Sequence, residues 1–499
     1  MNKNARAGAR ADDTAGLDPR RWKALWVTLA TGFMSLLDVT IVAVALPSMQ
    51  RDLTASPASV QWVVSGYALS FALALVPAGR LGDAVGRRKI FLWALAGFVI
   101  CSAGAGAAPT ITWLVVARIA QGACAGCLAP QNSALIQQMF RGAERGRAFG
   151  FLGATVGISS AVGPVTGGLI LALAHGTQGW RWIFYVNVPI GALALLLGLR
   201  LLPRVARGRR EHLDLPGVIL LGAGVLGLML PLVFADSGGV RRLWWLFVVG
   251  LVLLVAFARW ERRVAARDGG PLLDPRLLTC TRGYAAGTAL GTLYFVGFSG
   301  VWLVFALFFQ DGLGYAPLAS GLAVTPFAIG SAAAAVVAGR LVERFGRLLT
   351  VWGLVTVVLG LAATALILRS APPDVMAWWA APALFVGGVG SGCVISPNVT
   401  MALSDVPVRM AGAAGGALQT GQRLGGAVGT AALPGLFYMV LAENGKDYRE
   451  AVAFAVGCAL VALLGALALA VLDFRRYRHP RGRRGPRRVS AEHTGAGHG

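Results

Sequence analysis

Gly79-Arg80-Leu81-Gly82-Asp83-Ala84-Val85-Gly86-Arg87-Arg88-Lys89 returns later in the chain as Gly339-Arg340-Leu341-Val342-Glu343-Arg344-Phe345-Gly346-Arg347-Leu348-Leu349. Glycine, arginine, leucine, an acid, glycine and arginine recur at the same spacing, and each copy closes an apolar stretch. Such a repeat is expected when two homologous helical bundles form a transporter around a site at the membrane midplane. With six helices to a bundle, the second copy should follow the eighth apolar stretch. It follows the tenth, so two additional helices lie between the halves.

The composition agrees with a membrane chain. Of 499 residues, 56% are hydrophobic and 13% charged, with a mean hydropathy of +0.66, whereas soluble domains carry about 25% charged residues. A spanning helix needs about 20 apolar residues. Fourteen stretches qualify: 25–46, 60–79, 90–108, 113–136, 148–173, 183–202, 215–233, 243–258, 285–309, 318–338, 348–368, 378–397, 411–441 and 451–472. The expected fold is an all-α integral membrane protein of two pseudo-symmetric six-helix bundles (residues 25–202 and 285–472) and a linker, 203–284, carrying two inserted helices. A basic cytoplasmic tail (1–24) precedes them, and a disordered basic one (473–499) follows. Loops of roughly 11 residues leave no room for a soluble catalytic domain, and no enzyme is expected.

The net charge of +23 raises the question of nucleic-acid binding, which the distribution answers. With the N-terminus inside, the tails and even-numbered loops hold 35 Lys and Arg against 14 Asp and Glu, and the odd-numbered loops hold 7 of each. That is the positive-inside rule. It places both termini in the cytoplasm of a multi-pass cell-membrane protein, with the basic tails against anionic lipid headgroups. No aromatic-interleaved fold accompanies the charge, so nucleic acid is not an expected partner. The first helix reads as an uncleaved anchor. Cys124 and Cys127 form a CxxC within an apolar helix without further ligands, so they read as small packing residues. Neither a metal site nor another cofactor is expected.

Asp38 is the one acid inside the fourteen stretches. A carboxylate there costs at least about 2.5 kcal/mol on lenient insertion scales, so it should face a partner or an aqueous cavity. Arg118 is the natural partner. It keeps its charge at any relevant pH and leaves the titration to Asp38, no histidine lying in a stretch. A fixed ion pair that only joins helices is the alternative. Gly79, Arg80, Asp83, Gly86, Arg87 and Arg88 read as a gate whose ion pairs form in one state and break in the other; holding the loop inside is the blander role. Substrate contacts are sought at Tyr294, Phe298 and Trp302, an aromatic stripe that also suits core or lipid, at Met34 one turn before Asp38, at Gln121 and at Arg423. The tryptophans at stretch ends, including Trp62, Trp113, Trp180, Trp182, Trp244, Trp245, Trp378 and Trp379, read as interfacial anchors.

Four motifs in order resemble the fourteen-helix drug:proton antiporter branch of the major facilitator superfamily. They are Leu37-Asp38-Val39-Thr40 through Pro47, the 79–89 loop with Ala84 in place of the usual basic residue, Ala117-Arg118-Ile119-Ala120-Gln121-Gly122, and residues 150–168, ending Gly163-Pro164-Val165-Thr166-Gly167-Gly168. The resemblance implies proton coupling through Asp38 and Arg118. It also implies that the helix carrying the antiporter motif (Gly163, Pro164, Gly167 and Gly168), with Gly150, Gly153 and Gly157 before it, seals the bundle interface against leak; simple tight packing is the alternative. Ser159 stands where that motif often has glycine. No GxxxxGK[ST] phosphate loop is present, so ion gradients remain as the energy source. The expected function is export of hydrophobic drugs or antibiotics by a monomer in exchange for protons. The alternative is a same-fold exporter of a dedicated endogenous metabolite.

Overall fold

The apolar stretches become helices that outrun them, often by two turns or more. The computed structural model describes residues 19–174, 178–203, 214–234, 238–267, 271–279, 281, 283–443 and 447–478. Among these, fourteen long helices form and no strand. They are α1 (Arg21–Asp52), α2 (Pro57–Val85), α3 (Arg87–Gly106), α4 (Ile111–Met139), α5 (Gly142–Leu173), α6 (Arg181–Leu201, broken at Val186) and α7 (Leu215–Val233). The chain continues through α8 (Trp245–Ala266), α9 (Tyr284–Leu307), α10 (Pro317–Phe345), α11 (Arg347–Ser370), α12 (Met376–Ala402), α13 (Ala411–Glu443) and α14 (Tyr448–Arg478). Twelve are long and apolar enough to cross a membrane; α5 and α8 are not among the twelve. The last turns of α8 carry Arg259, Glu261, Arg262 and Arg263.

Local chemistry sets the helix ends. Ser56 caps α2, its Oγ accepting from the Ser59 N–H at 3.2 Å. Thr110 caps α4 by accepting from Trp113 N–H at 3.3 Å, and each cap satisfies an otherwise orphaned donor. The two copies of the repeat break at equivalent places. α2 gives way to α3 at Gly86 (φ 115°) and α10 to α11 at Gly346 (φ 53°), a positive φ that glycine adopts without steric cost.

α1 to α6 pack around Leu95, Phe98, Leu128 and Phe149, and around Val42, Val63 and Phe184. α9 to α14 pack around Phe305, Leu354, Val357 and Phe437. The inserted pair α7 and α8 meets through glycine: a Cβ on Gly227 would lie 3.0 Å from Gly250 Cα, the close approach that small residues permit. α7 then lies against α2 and α13, with Leu69, Ala72, Val225 and Met229 buried between them and Leu424 alongside. Most end-of-stretch tryptophans are exposed, as anchors should be. Trp180 is not. It is fully buried, because its indole N–H finds Asp52 Oδ2 at 2.9 Å and Arg181 stacks on its ring. Trp62 also turns inward, onto Phe234 with ring centroids 5.2 Å apart.

Candidate functional site

α1, α4 and α6 bring four polar residues, two of them from α4, to a shared point in the first helical group. Asp38 is wholly buried. Arg118 Nη1 donates to its Oδ2 at 2.5 Å, and Gln121 Nε2 and Asn187 Nδ2 donate to its Oδ1 at 3.1 and 2.9 Å. Arg118 also donates to Gln121 Oε1 at 2.8 Å and to the Val63 carbonyl at 3.0 Å. Its guanidinium lies 4.1 Å above the Tyr67 ring, whose hydroxyl donates to Ser35 O at 3.2 Å. A planar guanidinium suits this fork-and-stack role; an ammonium does not. Charge and hydrogen bonds together offset the desolvation of the two ions.

Sequence reasoning paired Asp38 with Arg118 but missed Asn187 and Ser102. Asn187 opens the second part of α6, where the break at Val186 frees the Phe184 carbonyl to accept from Ser102 Oγ at 2.9 Å. Ser102 Oγ in turn accepts from Asn187 Nδ2 at 3.1 Å. An asparagine within an apolar stretch, two residues before Pro189, was the available signal. Gln121, sought as a substrate contact, is a direct partner of Asp38 here. Chemically, the cluster is one titratable carboxylate held by three donors, one of them permanently charged. A proton on Asp38 removes the ionic attraction and leaves the guanidinium charged.

The loop motif forms a second constellation. Asp83 crosses to the other helical group and caps the start of α13, its Oδ1 accepting from Gly412 N at 3.2 Å and its Oδ2 from Ala413 N at 3.0 Å. A carboxylate at a helix N-terminus meets free N–H groups and the positive end of the dipole. Arg87 donates from Nε and Nη2 to Asp83 Oδ1 at 3.1 and 2.9 Å, from Nη1 to Ala134 O at 3.1 Å, and from Nη2 to Val408 O. Of the arginines expected around Asp83, only Arg87 pairs with it there. Arg88 turns to the Leu199 carbonyl in α6 at 2.6 Å, and Arg80 is buried. Gly79 is required for closeness, since a Cβ on it would lie 2.2 Å from Gly412 O. In the second copy, a Cβ on Gly339 would lie 2.6 Å from Gly146 O. Glu343 is exposed there, and Arg347 pairs with Asp473 instead.

The two groups thus touch along one half of the molecule. α2 and α13 meet from Gly79 and Gly412 to Phe71 and Arg423, and α5 and α10 from Gly146 and Gly339 to Gly157 and Ala332. The end of the antiporter motif behaves otherwise. Gly163 and Gly167 face Thr40 and Ile41 of α1 within their own group, and Gly168 has no neighbour within 4 Å. Contact with α10 is made by Gly146, Gly150, Gly153 and Gly157 of the same helix. The side chain of Pro164 lies outside the described residues.

The remaining substrate-contact residues are dispersed. Arg423 stacks on Phe71, its Cζ 4.3 Å from the ring centroid, at the far end of the α2–α13 seam. Met34 is fully buried beside Gly191 of α6. Tyr294 is buried too, donating to Ser391 Oγ at 2.8 Å and stacking on Phe298 with centroids 5.1 Å apart. Trp302 meets Phe327 edge-on at 4.6 Å. The stripe is continuous with the core of the second group, and Phe298 and Trp302 are its half-buried members.

Residues 28–219 and 215–430 each match the family described as Major Facilitator Superfamily. The chain is 36% identical over 450 residues to the probable actinorhodin transporter of Streptomyces coelicolor, covering 88% of this chain and 76% of that one. It is 39% identical over 482 residues to a puromycin resistance protein of Streptomyces alboniger, covering 92% and 93%. It is 32% identical over 442 residues to the tetracenomycin C resistance and export protein of Streptomyces glaucescens, covering 86% and 78%. Among solved structures, a proton:xylose symporter of the superfamily shares the fold with a TM-score of 0.63 at 15% identity, covering 91% of this chain and 95% of that one. The human organic anion transporter MFSD10 does so at 0.62 and 15%, covering 92% and 99%.

Proposed function

As the chain belongs to the major facilitator superfamily, and is therefore a multi-pass membrane transporter and not an enzyme, we propose that it exports hydrophobic drugs or antibiotics in exchange for protons by alternating access. The observation that carries this reading is the buried Asp38–Arg118 pair with Gln121 and Asn187 around it. An ionisable group inside a spanning helix marks an ion or substrate path by default. The names of the relatives supply the substrate class. The test is proton flux in inverted vesicles against a panel of compounds: drug-stimulated flux supports the reading, and a panel without any stimulator contradicts it. A second reading, export of one dedicated compound, is favoured by relatives named for a single compound each, actinorhodin and tetracenomycin C. It predicts one responder in the panel instead of several.

In this reading the closed side is cytoplasmic and the protein faces outward, with fourteen spans in two pseudo-symmetric bundles, both ends in the cytoplasm of the cell membrane. α5 and α8 complete the count. Lys446 and Arg210, both outside the described residues, report the topology. A cysteine replacing Lys446 is expected to react with an impermeant reagent from outside, and one replacing Arg210 from inside; reaction on the same side contradicts fourteen spans.

The Asp83–Arg87 constellation would hold the cytoplasmic gate shut. Asp83→Asn keeps the size but weakens the bonds to Arg87 and to Gly412 and Ala413, at about 1.5–3 kcal/mol for each charged hydrogen bond lost. The expected result is slower turnover with substrate affinity preserved, read as transport rate against equilibrium binding. A sharp loss of affinity with normal cycling contradicts the gating role.

A further inference from the structure

Apart from the Asp38 cluster and the loop motif, two more carboxyls converge in a buried place. Asp214 caps α7, its Oδ1 accepting from Gly217 N at 3.1 Å, while Trp260 Nε1 donates to Oδ2 at 2.9 Å. Glu261, near the end of α8, is 1% exposed, and its Oε2 accepts from Leu273 N at 3.1 Å. Its Oε1 has no hydrogen-bond partner. Both carboxyls aim at the same point: a Cβ on Gly217 would lie 2.4 Å from Asp214 Oδ2 and 2.7 Å from Glu261 Oε1. Among the described residues, neither forms an ion pair with an arginine or lysine. Two facing carboxyls in a dry site do not both ionise; sharing one proton satisfies both.

The place matters for the gate. Leu273 belongs to the strap, residues 271–279, that lies between α8 and α9 along the chain. The neighbouring Leu272 is fully buried in a cluster with Val76 of α2 and Phe257 of α8, with Val218 of α7 and Ala417 of α13 packed against it. The strap therefore lies over the seam between α2 and α13, on the side that is closed. We propose that Asp214 and Glu261 form a second proton-binding site, in which one shared proton fastens this strap across the seam and favours the closed state of that side.

The facing groups from each element are few: Asp214 from α7, the Trp260 indole from α8, backbone N–H groups from the strap, and apolar Val76 and Ala417 from α2 and α13. Asp214 is the one whose charge acts on Glu261. Glu261 lies past the apolar stretch 243–258. Burial pushes its carboxyl up to about 8, opposed by the strap N–H groups and aided by Asp214. A glutamate freed into water returns to about 4.3. The fastened state therefore binds the proton more tightly, and its advantage is full below the free value. It falls by about tenfold per pH unit as pH rises toward 8, and is flat above.

Hydrogen exchange of the strap amides in the full-length protein, corrected for intrinsic base catalysis, reads this between pH 6 and 8. Wild type is expected to lose protection by roughly tenfold per unit. Glu261→Gln, which donates to Asp214 as the protonated acid does, should stay protected and flat. Asp214→Asn, which removes the Asp214 charge and whose amide can donate to an ionised Glu261, should make the slope shallower, and decides the matter if the first variant folds poorly. Amides of α9 to α14 serve as the folding control. A flat wild type, or the wild-type slope in either variant, overturns the proposal.

Discussion

Asp38→Asn is expected to abolish uphill efflux while leaving substrate binding intact. Asparagine keeps the volume and can still accept from Arg118, so the cluster need not collapse. What it loses is the ability to alternate between charged and neutral. In the proposed cycle a proton arriving from the open side neutralises Asp38 and weakens its hold on Arg118, and release of that proton on the other side restores the pair. A fixed neutral group cannot run that exchange. Removing one partner of a buried ion pair costs about 3–5 kcal/mol. The loss is moderated here because Arg118 retains Val63 O, Gln121 and the Tyr67 ring. Asp38→Glu is expected to retain partial activity with a shifted pH dependence, and Arg118→Lys to be poorly tolerated, since an ammonium cannot reach Asp38, Val63 O and the ring together. Efflux against a gradient in energised vesicles, followed across a series of pH values, is the measurement. Wild-type efflux by Asp38→Asn would mean that protons travel elsewhere or do not drive transport.

Gly79→Val is expected to stop turnover by a different route, preventing closure on the loop-motif side. The first atom of any side chain there would lie 2.2 Å from a backbone oxygen, that of Gly412. A neighbouring side chain can rotate away; a helix start fastened by Asp83 cannot. Interiors pack too densely to absorb such an overlap, so the closed state loses stability and the open one does not. A cysteine at Ala413, buried in the closed state, should become reactive from the loop-motif side in Gly79→Val and stay protected otherwise. Gly457→Val is the control, because a Cβ added there meets nothing within 4 Å. Normal turnover by Gly79→Val, or equal damage from Gly457→Val, contradicts the gate.

The sequence made some of this legible and concealed the rest for physical reasons. A carboxylate in hydrocarbon stands out in one dimension, and so does an arginine in the same surroundings, which is why the sequence alone pairs Asp38 with Arg118. Asn187, Ser102 and Tyr67 are neutral, cost little to place in a helix, and acquire meaning only when the break at Val186 turns α6 toward α1. The repeat fixed the position of the gate, and Gly86 and Gly346 its turns, but not which arginine would reach Asp83. Arg87 and Arg88 are adjacent on the chain and point to different neighbours, the Val408 carbonyl just before α13 and the Leu199 carbonyl of α6. The glycines of α5 were visible as small residues throughout; that the earlier ones face α10 and the later ones α1 depends on where the two helical groups diverge. Trp180 sat where an interfacial anchor is expected, yet Asp52 and Arg181 gave it a buried partner on either side.

The claim that proton movement is tied to substrate movement through Asp38 is tested most directly in liposomes containing the purified protein and a trapped pH indicator. An imposed gradient of a transported drug, with no initial pH difference, should drive protons in the opposite direction in the wild type and produce no pH change in Asp38→Asn. Drug movement without proton movement in the wild type, or equal proton movement in both proteins, would contradict it.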